Sequence, residues 1–185
     1  MASRARSQRG ASLIEVLVAM VILSVGLLSL VVLHGRLHLM QMESYQRSQA
    51  LILLNDMASR IALNRNDAGD YVTDVPVGAG MACPADPADR QEADIVEWCS
   101  ALQGAAETLS GGSVGAMVGG RGCVEDIGGG DYLVTVAWQG MSPVSAPPAS
   151  VTCGANEYDG DAGTPCVNDL CRRVVTTVVR IATLT

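Results

Sequence analysis

Val16 to Leu33 is a run of eighteen residues without a charge, most of them Val, Leu and Ile, and Glu15 stands immediately before it. As a helix such a run spans about 27 Å, enough for the hydrocarbon of a bilayer. Beyond the run Ala50, Leu53, Leu54, Met57, Ala58 and Ile61 recur at three and four residues, while Gln49, Asn55, Asp56, Ser59 and Arg60 take the other face. No Pro interrupts the chain from Ala11 to Asn66, so the pattern predicts one helix over that range, apolar all round at first and amphipathic later. Gly26 and Gly35 are its weak points. A helix of this kind needs two environments, one of lipid or other helices and one of folded protein.

Charge sets the orientation. Arg4, Arg6 and Arg9 precede the run, against Arg36 and Arg47 shortly after it, which predicts a cytoplasmic amino terminus. A carboxylate at the edge of such a helix costs roughly 1–3 kcal/mol on insertion scales, so Glu15 reads as functional. Five residues before it stands Gly10, in the stretch Gln8-Arg9-Gly10-Ala11-Ser12-Leu13-Ile14-Glu15. A secretory signal has its cleavage site after the apolar core. Here the Gly precedes the core, so a cut there leaves the anchor on the mature chain.

The six Cys (83, 99, 123, 153, 166 and 171) all lie beyond residue 80. An even count in an exported region reads as up to three disulfides, with fifteen possible pairings and no sequence ground for choosing. No Lys occurs, and between Asp67 and Cys171 sixteen acids face two Arg, 90 and 121. That surface repels phosphate, which argues against nucleic-acid binding.

The segment 64–80, rich in Asn, Asp and Gly, predicts a loop. A second helix is expected from Asp89, its N-cap, to Leu109, with Ile95, Trp98, Leu102, Ala105 and Leu109 on one side. Gly-rich coil follows to Gly122. The last third reads as β: Cys123–Ile127, a turn at Gly128–Asp131, Tyr132–Gln139 with strict alternation, a long loop from Met141 to Asp169, and Arg172 to about Leu184. The expected class is α+β, a long helix packed on an antiparallel sheet with a second short helix.

Chemistry-bearing motifs are sparse. His34 and His38 lie one turn apart beside Arg36, with no third ligand nearby, and read as residues at the membrane boundary. Asn156, Glu157, Asp159, Asp161 and Asp169 crowd one loop without the twelve-residue calcium pattern, and read as solvated acids. No GxSxG, Walker or HExxH pattern occurs, and the Gly runs do not open helices. No cofactor, metal or catalytic residue is expected.

The leader, Gly10, Glu15 and the apolar run together resemble the class III leader junction of type IV pilins and pseudopilins. That resemblance implies cleavage by prepilin peptidase between Gly10 and Ala11, N-methylation of Ala11, and a role for Glu15 in meeting the free amine during assembly. The family usually has Phe or Met where this chain has Ala11. Leu54-Asn55-Asp56-Met57-Ala58-Ser59-Arg60, the strand Thr135-Val136-Ala137-Trp138-Gln139-Gly140, Cys153-Gly154 and Arg172-Arg173-Val174-Val175 are similar to the PilV family of type IV pilus modification proteins. The resemblance implies a type IV pilin-like fold divided as leader 1–10, assembly half of the helix 11–35, amphipathic half 36–66 and periplasmic domain 67–185. It further implies a minor pilin of a priming or tip complex, held in the inner membrane and then in the pilus. Its partners would be other minor pilins, the major pilin, a large tip adhesin and the inner-membrane assembly platform. A minor pseudopilin of type II secretion or a pilus-displayed adhesive module shares the leader.

Overall fold

The computed structural model describes residues 12–105, 108–109, 112–113 and 117–182. Helix α1 spans Leu13–Leu63 and runs unbroken through Gly26 and Gly35. A 3-10 helix follows at Arg65–Tyr71, then β1 (Val77–Gly78), α2 (Arg90–Leu102), β2 (Thr108–Leu109), β3 (Gly112–Ser113), β4 (Arg121–Gly128), β5 (Asp131–Gln139) and β6 (Arg172–Arg180). Two compact units divide the chain between Gln41 and Met42.

In the unit beyond Met42 the amphipathic stripe does what its spacing demands. Gln46, Ala50, Leu54, Met57 and Ile61 of α1 are buried. They share a core with Trp98 and Leu102 of α2, Val124 of β4, and Val134, Val136 and Trp138 of β5. Each large apolar side chain placed there contributes about 1.5–3 kcal/mol. The sheet order is β1-β4-β5-β6, antiparallel throughout. The class is α+β as expected.

Three differences from the sequence reading have local causes. The second helix ends at Leu102 rather than Leu109, because Gly104 takes a φ of +86° and forms a Schellman turn. There Ala105 N–H bonds to the Ser100 carbonyl at 3.0 Å and Gly104 N–H to Ala101 at 2.9 Å. Beyond it Thr108–Leu109, expected as the end of that helix, is β2 and pairs with β3 in what reads as coil. The predicted loop at 64–80 holds the 3-10 helix and β1. Alternation needs more than two residues to show, so a strand as short as Val77–Gly78 leaves no periodic trace.

The sheet's other face carries a smaller core of Cys123, Ala137, Cys153 and Tyr158 under the long loop. Tyr158 O–H donates to the Gly119 carbonyl at 2.8 Å, and Arg172, buried, donates to the carbonyls of Val151 (2.8 Å) and Cys153 (3.0 Å). Disulfides join Cys83–Cys99, Cys123–Cys153 and Cys166–Cys171.

Candidate assembly site

Gly10, Ala11 and the three leader arginines lie outside the described residues. The Ser12 carbonyl accepts from Glu15 N–H (3.0 Å) and Val16 N–H (3.2 Å), closing the first turn of α1. Glu15 is exposed, and it is the one acid between Ser12 and Met42. Around it the apolar side chains are open on every side of the helix: Ile14 is 70% exposed, Leu17 60%, Val21 55% and Leu28 67%. Within α1 an eighteen-residue window reaches a mean hydropathy of 3.0, so by length and composition this segment can cross a membrane. Its few polar groups are satisfied internally. Ser24 and Ser29 hydroxyls donate to the carbonyls of Met20 (2.8 Å) and Val25 (3.0 Å), as a hydrocarbon environment requires. At the far end His34 and His38 meet edge to face, 4.8 Å between ring centroids. Among the described residues no three His, Cys, Asp or Glu side chains gather to hold a metal.

The folded unit grips α1 at both ends of its buried stripe. At the upper end Glu43 takes Arg173 Nε at 2.7 Å on one oxygen and the Met141 N–H at 2.9 Å on the other. Arg173 also donates to the Ser142 carbonyl at 2.6 Å. The guanidinium occupies the place a side chain on Gly140 would take, 2.6 Å from its Cβ position. The Val136-Ala137-Trp138-Gln139-Gly140 segment thereby has three jobs. Val136 and Trp138 fill the helix-side core, Ala137 fills the opposite one, and Gly140 leaves room for the Arg that holds Glu43.

At the lower end Arg60 sits in a fork of acids rather than on the solvated face that its spacing predicts. It meets Asp56 (2.9 Å), Asp94 (2.7 Å) and Glu97 (2.7 Å), so α1 is bonded to α2. Asp94 is 3% exposed and also accepts from the Tyr71 hydroxyl at 2.6 Å. Burial works against its charge, but the bonds from Tyr71 and Arg60 outweigh it and hold the carboxyl below the usual carboxylate range. Burial and the bond to Asp94 push the Tyr71 hydroxyl up to about 12. Asp94 thus binds fewer protons folded than unfolded, and its contribution is present above the unfolded value near 4 and lost as pH falls through the folded one. We expect Asp94→Asn to lower stability at pH 7 by about 2–3 kcal/mol and to flatten the acid limb of a melting-temperature profile below about pH 4. An unchanged acid limb would assign that limb to other carboxylates.

Residues 5–31 match the family model of the prokaryotic N-terminal methylation motif. The match takes in Gly10, Ala11, Glu15 and most of the apolar run. The motif supports a type IV pilin or pseudopilin. It implies processing by prepilin peptidase and assembly with other pilins, and the open apolar half of α1 fits an inner-membrane anchor. No curated protein and no solved structure matches the chain.

The acidic loop is occupied with its own backbone. Asp159 accepts from Asp169 N–H and Asp169 from Asn156 N–H, both at 2.8 Å, and Asp169 also meets Arg172 at 3.2 Å. The Glu43–Arg173 and Arg60–Asp94 clasps escaped sequence reasoning. Their partners are 130 and 34 residues apart, and nothing short of the folded register brings them together. The only sequence trace was an Asp among the apolar positions of α2.

Proposed function

We propose that the chain is a minor type IV pilin of the PilV kind. Prepilin peptidase would cut between Gly10 and Ala11 and methylate Ala11, leaving α1 as a single-pass anchor with its amino terminus at the cytoplasmic side and the disulfide-bonded domain in the periplasm. From there it joins other minor pilins in the complex that primes pilus growth and remains at the tip. Prepilin peptidase, the major pilin, a large tip adhesin and the assembly platform are the remaining partners.

The observation that carries this reading is the register of Gly10, Glu15 and the apolar run within the matched motif, at the head of a helix whose first half is open on all sides. Extraction from lipid into a bundle of like helices would cover that surface. A carboxylate held in such a bundle needs a cation, and a cut after Gly10 makes one on Ala11. The sheet domain is clasped to the Met42–Leu63 part of α1 through Glu43 and Arg60.

Mass spectrometry of the membrane-extracted protein tests it: the mature chain should start at methylated Ala11. A native terminus at Met1 or Ala2 overturns the reading. Deletion of the gene should remove surface pili. Intact pili with lost protein secretion would instead place the chain among type II pseudopilins.

A further inference from the structure

The two edges of the four-stranded sheet are treated differently. Along β4 the chain lays its own cover: Val77 and Gly78 pair with Gly122 and Arg121, and Thr73 bonds to Val124 in both directions, at 2.9 and 3.0 Å. Along β6 there is none. Its nine residues pair with β5 from Asp131–Arg180 to Gln139–Arg172 without a register shift; on its other side Arg172 N–H bonds to the Asp169 carbonyl at 3.0 Å, and among the described residues no backbone group meets the outer side from Arg173 to Arg180. Natural edges are blunted by Lys, Pro, bulges or brevity, since a bare row of N–H and C=O groups templates another strand. β6 has none of these devices. Its sequence between the arginines is Val-Val-Thr-Thr-Val-Val, and each Arg is engaged: Arg172 by Asp169, Arg173 by Glu43 and Arg180 by Asp131. Thr176 and Val178 stand exposed on one face, Val178 at 48% and directly opposite Leu133.

We infer that β6 is the acceptor edge for an extended strand donated by a different protein of the same surface assembly. The inference rests on the pilin reading above. A second copy is the wrong donor. Antiparallel pairing of β6 with itself needs a two-fold axis normal to the sheet, which reverses the Met42–Leu63 segment lying on that sheet. The two copies of that segment would then run in opposite directions, whereas copies in one filament run the same way. Charge narrows the donor further. From Met42 onward the chain carries eighteen acids against eight Arg, a field that repels an acidic segment and attracts a neutral or basic one. Backbone bonds along β6 would supply affinity, and a small apolar side chain over the Leu133–Val178 row would supply register.

The test is amide hydrogen exchange on the 172–180 peptide, in the full chain purified in detergent micelles and in the chain within sheared surface filaments. Exchange in the filaments should slow about tenfold or more at alternate β6 amides. Thr176→Lys and Val178→Lys should keep the micellar exchange protection of α1 and β5, which reports folding, yet lower recovery in filaments at least tenfold. If the wild-type chain is in the filaments and β6 exchanges as fast as in micelles, or if both Lys variants assemble normally, the acceptor role falls while the pilin reading stands. If the wild-type chain is absent from filaments, the pilin reading fails and takes this inference with it. Protection of β6 already present in micelles, with a dimer in solution, would overturn the choice of donor.

Discussion

Glu15→Ala should yield a protein that folds and reaches the membrane but enters filaments at least about a hundredfold less than the parent chain. The expectation follows from the cost of an uncompensated charge. Removing one partner of a buried pair leaves the other desolvated and alone, a loss of about 3–5 kcal/mol, and each 1.4 kcal/mol is a factor of ten. In lipid the same change makes the anchor more apolar, so insertion improves slightly and cannot explain a deficit. The ratio of filament-bound to membrane-bound chain, read by quantitative immunoblot, isolates the assembly step. Normal incorporation would mean that the acid has no partner in the assembled state.

Gly122→Ala is the substitution with the largest expected cost to the fold. A Cβ on Gly122 would stand 2.6 Å from two ring carbons of Trp98 and overlap a third. Trp98 cannot retreat: it is fully buried, and its indole N–H donates to the Leu53 carbonyl of α1 at 3.0 Å. One methyl group therefore forces α2 off the sheet or the indole off α1. We expect a loss of about 3 kcal/mol, seen as a fall of about 6–12 °C in the melting temperature of a domain this size. Pairing the change with Trp98→Leu should return part of it, because the two sites are coupled through one contact. An unchanged melting temperature for Gly122→Ala alone would show that the ring has somewhere to go.

What could be read from the sequence was whatever repeats. The α1 stripe is legible because 3.6-residue spacing persists over about three turns from Ala50 to Ile61, and β5 because its alternation runs for seven residues. Asp89 was legible as a cap since its side chain bonds only three residues on, to Glu92 N–H at 2.8 Å. The Gly104 stop was hidden by apolar residues that happen to continue the period to Leu109. Arg60 looks solvated by its helical angle, yet α2 closes over it with two acids. The leader junction was readable because its parts are contiguous, whereas the clasps that tie the domain to the helix join residues whose proximity exists only after folding.

The cysteine connectivity carries one more consequence. Every bridge joins neighbours in cysteine order: 83 to 99, 123 to 153, 166 to 171, with no loop enclosing or crossing another. If the chain is threaded outward from its anchored end, each thiol finds its proper mate as the next one to emerge. An oxidase that simply couples thiols in sequence of arrival makes the native set, and the domain can mature without a shuffling enzyme to undo mistakes.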